Sequence, residues 1–171
     1  MLQGERVVLR PIQSWDRERL YELVETIQVR AMSHNDPPLP FSLEEIEARD
    51  RRWLEERHID SAWFAIDADE ETIGICGLHA IEHYHQRAEV GIRIGEPYWG
   101  KGFGQDAVRT LVEYGFRQLN LRKISLRCLA DDERAVGAYR KAGFVEEGRL
   151  RDHAWYDGKV HDELVMAMFR D

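Results

Sequence analysis

Cysteine is scarce: the chain has two in 171 residues. Cys76 and Cys128 each fall in an apolar strand pattern, and no Cys-x-x-Cys spacing occurs. Both read as buried thiols rather than as a disulfide or a metal clip. No apolar run approaches the ~18 residues that a membrane-spanning helix needs, so no membrane partner is expected. The opening Met1-Leu2-Gln3-Gly4-Glu5-Arg6 lacks an apolar signal region, and the expected location is the cytoplasm. Positive charge is in deficit, with 24 Lys and Arg against 32 Asp and Glu, a net charge of −8. That balance argues against nucleic acid as the main partner. It also favours steering of a cationic amine, although only weakly. Proline is rare, yet Pro37, Pro38 and Pro40 cluster in a stretch that cannot be regular and reads as a stiff loop. Repeats, low-complexity segments and linkers are all missing. With 43% apolar and 33% charged residues, 1–171 reads as one globular domain.

The most informative stretch that is present runs over 89–104, Glu-Val-Gly-Ile-Arg-Ile-Gly-Glu-Pro-Tyr-Trp-Gly-Lys-Gly-Phe-Gly. Val90, Ile92 and Ile94 alternate with other residue types, which predicts a strand over 89–94. Gly95 and Pro97 end its ladder. Gly100-x-Gly102-x-Gly104 follows, and then Val108, Leu111, Val112, Phe116 and Leu119 recur at helical spacing. Strand, glycine turn and helix in that order suit an anion. Glycines let the backbone curl its N–H groups around a ligand, and the helix start adds free donors and partial positive charge. Asp106 reads as an ordinary first-turn acid. The spacing matches neither a P-loop nor the Gly-x-Gly-x-x-Gly dinucleotide fingerprint.

The rest of the chain fills in around this unit. A first strand is expected over 6–11, one helix over 16–30, and a second helix opened by the capping box Ser42-Leu43-Glu44-Glu45. Residues 62–67 and 72–81 read as a hairpin, and 123–129 as a further strand. Asp131 and Asp132 can cap a helix over 133–142 that Gly143 ends, and Asp157-Gly158 marks a closing hairpin. The order βααβββαβαββ predicts an α+β fold: a mixed, mostly antiparallel sheet of about seven strands, with helices on both faces. His79, His83 and His85 have a spacing that could hold a metal, but no cysteine or placed carboxylate completes a site, so none is expected.

Trp99-Gly100-Lys101-Gly102-Phe103-Gly104, followed by Tyr139-Arg140-Lys141-Ala142-Gly143-Phe144, resembles the two signatures of the GNAT superfamily of acyl-CoA-dependent N-acetyltransferases. The likeness runs from about Leu9 onward and is closest over 87–148, where the chain is similar to spermidine and ribosomal-protein alanine N-acetyltransferases. The resemblance implies a central strand that splays from its neighbour and acetyl-CoA as co-substrate. The pantetheine arm would pair with the main chain of Ile92, Arg93 and Ile94. The diphosphate would lie on the amides of Trp99, Gly100, Lys101, Gly102, Phe103 and Gly104 with Gln105 beside them, and Asp132 and Ala135 would line the cofactor from the next helix. Trp99 stands where Gln or Arg is usual. Asp132 stands where many relatives have asparagine, and an ionised Asp has no donor for pantetheine.

Tyr139 matches the tyrosine that protonates the leaving thiolate; by spacing alone it reads rather as a half-buried core tyrosine beside Ala135, Ala138 and Ala142. Glu89 matches a catalytic glutamate of several members. By position alone it could instead be a strand-edge carboxylate paired with Arg87 or Arg93. The implied acceptor is a primary amine, either a polyamine-type small amine or a protein N-terminus, with its specificity residing around 30–45. A homodimer is implied by the resemblance only. The competing reading is a CoA-binding regulatory or partner-binding module without turnover, and the discriminating features are Tyr139 and an intact glycine turn.

Overall fold

Alternating apolar residues build most of one eight-stranded sheet in the computed structural model, which describes residues 1–32, 39–55 and 59–170. The loop expected at 33–40 lies mostly outside the described residues. In chain order the elements are β1 (Leu2–Gln3), β2 (Val8–Pro11), α1 (Arg17–Val24), α2 (Ile27–Ala31), α3 (Leu43–Glu55), β3 (Ala62–Ala68), β4 (Glu71–Glu82) and β5 (Arg87–Ile94). They continue with α4 (Phe103–Arg117), β6 (Lys123–Leu129), α5 (Glu133–Ala142), β7 (Val145–Tyr156) and β8 (Lys159–Phe169). The sheet order is β1-β2-β3-β4-β5-β6-β8-β7, and every neighbouring pair is antiparallel except β5–β6.

The eighth strand, β1, is two residues long and pairs with β2 across a turn too short for a period-2 pattern to register. The single helix expected over 16–30 is two. Thr26 breaks it with extended backbone (ψ 148°), and its hydroxyl accepts the Val29 N–H at 3.2 Å as the cap of α2. The expected capping box at α3 is formed: Glu45 N–H donates to Ser42 Oγ at 3.2 Å, and Ser42 N–H to Glu45 Oε2 at 2.7 Å. Asp157 and Gly158 take φ of +47° and +74°, the left-handed pair that a two-residue hairpin needs.

The core lies between the sheet and α4. Val108, Leu111 and Val112 of α4 pack with Leu78, Val90, Ile124 and Leu126, all nine-tenths buried or more. Complete burial of each such side chain contributes about 1.5–3 kcal/mol. A smaller cluster, Leu23, Val24 and Val29, seats α1 and α2 on the opposite face against Ile75, Tyr98 and Trp99. Asp106 is more than a first-turn acid. Its buried carboxylate accepts the Arg6 and Val7 amides at 2.7 and 3.1 Å and Arg109 at 2.8 Å. This pins the strand entering at β2 to the start of α4. Burial would raise its pKa, but the amides of Arg6, Glu5 and Val7 and the Arg109 guanidinium outweigh that and hold it low.

Candidate active site

Strands β5 and β6 are hydrogen-bonded over three rungs only, Arg87↔Lys123, Ala88↔Ile124 and Glu89↔Ser125. Beyond Glu89 they part. A cleft of about 400 Å³ opens in the gap, walled by Ile92–Ile94 on one side, Arg127 and Cys128 on the other, the turn 98–105 at one end and α5 above. All the expected site residues reach its wall except Glu89, Lys101 and Phe103.

Strand alternation decides which main-chain groups face the gap. Gly95 N–H donates to Ile73 O of β4 at 2.9 Å, so the groups of Arg93, two residues earlier, also point toward β4. Those of Ile92 and Ile94 therefore point into the cleft. Ile94 O already accepts the Trp99 indole N–H at 2.7 Å, which leaves one lone pair for a ligand. Arg93 thus turns its side chain, not its main chain, to the site.

The turn has the shape that an anion requires. Gly100 and Gly102 adopt φ of +72° and +85°, in the left-handed region. Gly104 does not, and a Cβ there would stand 3.4 Å from Ile94 Cδ1, an ordinary contact. Phe103 is a buried anchor with the Arg6 guanidinium 4.7 Å over its ring, and Arg6 also donates to Lys101 O. The α4 N-terminus is thereby fixed while its free N–H groups are directed at the cleft. A side chain at a left-handed position costs about 1–2 kcal/mol. Gly102→Val is therefore expected to raise the Kd for coenzyme A about tenfold, whereas Gly104→Ala leaves it within about twofold; calorimetric titration reads both.

Across the gap, α5 begins as its sequence requires: Asp132 Oδ1 accepts the Ala135 N–H at 2.9 Å. Its carboxylate serves as a helix cap, a role in which it accepts and supplies no donor. Arg134 stacks on Trp99, with Cζ 4.2 Å from the ring centroid, and so joins the two walls. Tyr139, half-buried, presents a hydroxyl that bonds no described residue. Burial above all, helped by Cys128 and Asp132 and opposed by Arg134, pushes its pKa above the ordinary 10. Cys128, beside it on the cleft wall, is pushed up to about 12, chiefly by burial and then by Asp132 and Glu163. A thiol so protonated is a poor nucleophile.

Glu89 sits at the closed end of the splay, opposite His79 and Ser125, on the face away from α4. Arg87 pairs with Glu82 at 2.7 Å and Arg93 with Glu25 at 3.0 Å. Neither expected pairing therefore forms, and Glu89 has no ion-pair partner among the described residues. The histidines diverge: His79 stacks on Trp63, His83 bonds Ile59 O at 3.0 Å, and His85 approaches Glu82 at 3.9 Å.

Sequence reasoning missed Glu25. It is 5% exposed and holds Arg30 at 2.6 Å, Arg93 at 3.0 Å and Arg49 at 3.5 Å, tying α1, α2, α3 and β5 together beside the cleft. Burial would raise its carboxyl, but Arg93, Arg30 and Arg49 outweigh that and hold it below the usual range. Arg49 and Arg93 lie far from Glu25 in sequence, so the cluster carries no local signal.

Residues 6–145 match the acetyltransferase (GNAT) domain family. The chain is 31% identical over 173 aligned positions to the spermidine N(1)-acetyltransferase of Escherichia coli strain K12, covering 99% of this chain and 89% of that one. It is 26% identical to the putative ribosomal N-acetyltransferase YdaF of Bacillus subtilis, with 98% and 93% covered. Its fold superposes on the crystal structure of spermidine N-acetyltransferase from Vibrio cholerae in complex with CoA and spermine at a TM-score of 0.86, with 27% identity over 97% and 96% of the two chains. Splayed strands, glycine turn and cleft tyrosine thus agree with the family match: the chain belongs to the GNAT acetyltransferases and is an acetyl-CoA-dependent N-acetyltransferase.

Proposed function

We propose that the amine attacks the thioester directly inside the β5–β6 cleft, with Tyr139 as general acid and Glu89 as general base. The observation that carries this reading is the Tyr139 hydroxyl, which reaches the cleft wall from α5, bonds no described residue and is favoured in its neutral form by burial. Coenzyme A would lie with its diphosphate on the 99–105 turn and its arm against the Ile92 and Ile94 main chain. The Ile92 N–H can then meet the carbonyl oxygen as negative charge builds on it. The ammonium passes its proton toward Glu89, directly or through water. Nitrogen bonds to the acyl carbon, the C–S bond breaks, the thiolate takes the Tyr139 proton, and the second proton shed by the new amide nitrogen returns to Tyr139 through water. The protonated Cys128 favours this ternary route over an acetyl-cysteine intermediate.

The acceptor is a primary amine, of the polyamine type or a protein N-terminus, as the names of the relatives suggest. We place the reaction in the cytoplasm, where the unpaired, buried Cys76 and Cys128 stay reduced. No helix among the described residues is long and apolar enough to cross a membrane. A homodimer is part of the reading: the terminal hairpin exposes Val145, Trp155 and Val160, a surface that association would cover. Thiol release from acetyl-CoA, followed over a panel of amines, tests the reaction. Release with one class supports it. Coenzyme A binding with no release for any amine favours the module without turnover.

A further inference from the structure

Among the described residues, the acceptor side of the cleft carries the wrong charge for a bare polyamine. The chain as a whole is acidic, at −8, yet four cations line the cleft: Arg93, Arg127, Arg134 and Lys141. The acids lining it are Asp132 and Glu133 among the described residues, both at the start of α5, and Asp132 caps that helix. Arg134, stacked on Trp99, and Lys141 rise from α5 and suit the phosphates of coenzyme A.

Arg93 and Arg127 do not share that position. Glu89 faces Ser125 on the last paired rung, so by alternation Arg93 and Arg127 lie on that same face, on opposite walls of the gap. It is the face turned from α4, and Arg93 meets Glu25 of the α1–α2 junction there. One Arg93 nitrogen donates to Glu25, and its other guanidinium donors bond no described residue. Arg127 is 48% exposed and has one long contact, 3.8 Å to the buried Glu163. Glu25, the carboxylate that could have drawn a second ammonium, is already surrounded by guanidinium groups.

We infer that the acceptor is a primary amine carrying an oxyanion, a carboxylate or phosphate, a few bonds from the nitrogen, and that Arg93 and Arg127 grip it while Glu89 faces the ammonium. The inference rests on the acetyl-transfer reading above. Guanidinium groups bind such oxygens by paired, charge-assisted hydrogen bonds. The same two cations would repel the distal ammonium groups of a polyamine.

Ethanolamine, phosphoethanolamine, β-alanine and spermidine, assayed by thiol release, separate the possibilities. Phosphoethanolamine against β-alanine tells a phosphate from a carboxylate. One of the two is expected to exceed ethanolamine and spermidine in kcat/KM by about tenfold or more, as charged hydrogen bonds allow. Arg127→Gln should erase that preference through KM while the Kd for coenzyme A holds, which also reports that the variant is folded. Spermidine or ethanolamine as the best acceptor overturns the inference, as does an Arg127→Gln loss that appears in coenzyme A binding instead. Thiol release with none of the four, coenzyme A still binding, overturns this inference, and an N-terminal peptide added to the panel tells whether the acetyl-transfer reading falls with it. Release with spermidine alone spares that reading.

Discussion

Tyr139→Phe is expected to lower kcat by about 100-fold or more with saturating amine, in line with general-acid contributions. The Kd for coenzyme A should stay within about twofold, because the ring remains and the hydroxyl bonds no described residue. The aromatic contact to Phe144, centroids 6.1 Å apart, survives the change. A purely structural tyrosine would give the opposite pattern, with turnover kept. The pH dependence sharpens the test. Burial favours the neutral phenol, so the hydroxyl keeps its proton past the ordinary value of 10. The wild-type kcat profile should therefore show no alkaline fall from this group below about pH 10. In the Phe variant, water must protonate the thiolate. An unchanged kcat removes Tyr139 from the mechanism. Glu89→Gln is the companion test: kcat/KM near neutral pH should fall, and an unchanged value assigns the amine proton to water.

Local patterns carried most of the fold, and their limits are physical. Alternation at Val90, Ile92 and Ile94, the caps at Ser42 and Asp132, and the Asp157-Gly158 turn each depend on neighbours within a few residues, and each was legible. The break at Thr26 was not, because Leu20, Leu23, Val24 and Ile27 keep helical spacing across it. Phe103 was expected for its turn amide, and its buried side chain is an anchor as well; an apolar residue between two glycines does not reveal that second part. Arg93 presented a similar ambiguity. A strand position offers main chain to one neighbour and side chain to a face, and the Gly95–Ile73 hydrogen bond was needed to tell which of them the cleft receives. Glu25 and Arg127 acquire a role only once α1, β5 and β6 are assembled, so periodicity could not single them out.

Arg10→Leu is expected to destabilise the fold by about 3–5 kcal/mol, the usual result of leaving a buried charge without its partner. Arg10, on β2, grips Asp16 through Nη1 and Nη2 at 2.7 and 2.8 Å, and Asp67 through Nε and Nη2 at 2.5 and 3.1 Å. It also donates to Thr72 at 2.9 Å, so one guanidinium joins the entry of α1 to the β3–β4 hairpin. Asp16 is 2% exposed and cannot turn to water when the guanidinium is gone. At ~2–4 °C per kcal/mol for a chain of this size, Tm should fall by roughly 6–20 °C. The pH dependence fixes the cause. Burial raises the Asp16 carboxyl, but the Arg10 hydrogen bond, the Gln13 amide and Thr72 outweigh it and leave its folded pKa below the ordinary value. Its contribution is then complete above the unfolded value near 4 and is lost as pH falls through the folded one. Asp106 and Glu25 are depressed in the same direction, so wild-type stability should decline steeply below about pH 4. In Arg10→Leu that decline should be shallower, because Asp16 no longer prefers its ionised form in the folded state. Urea midpoints at pH 7 and pH 3.5 measure both effects. A loss that is the same at the two pH values would show that Arg10 acts through packing of its stem rather than through its charge.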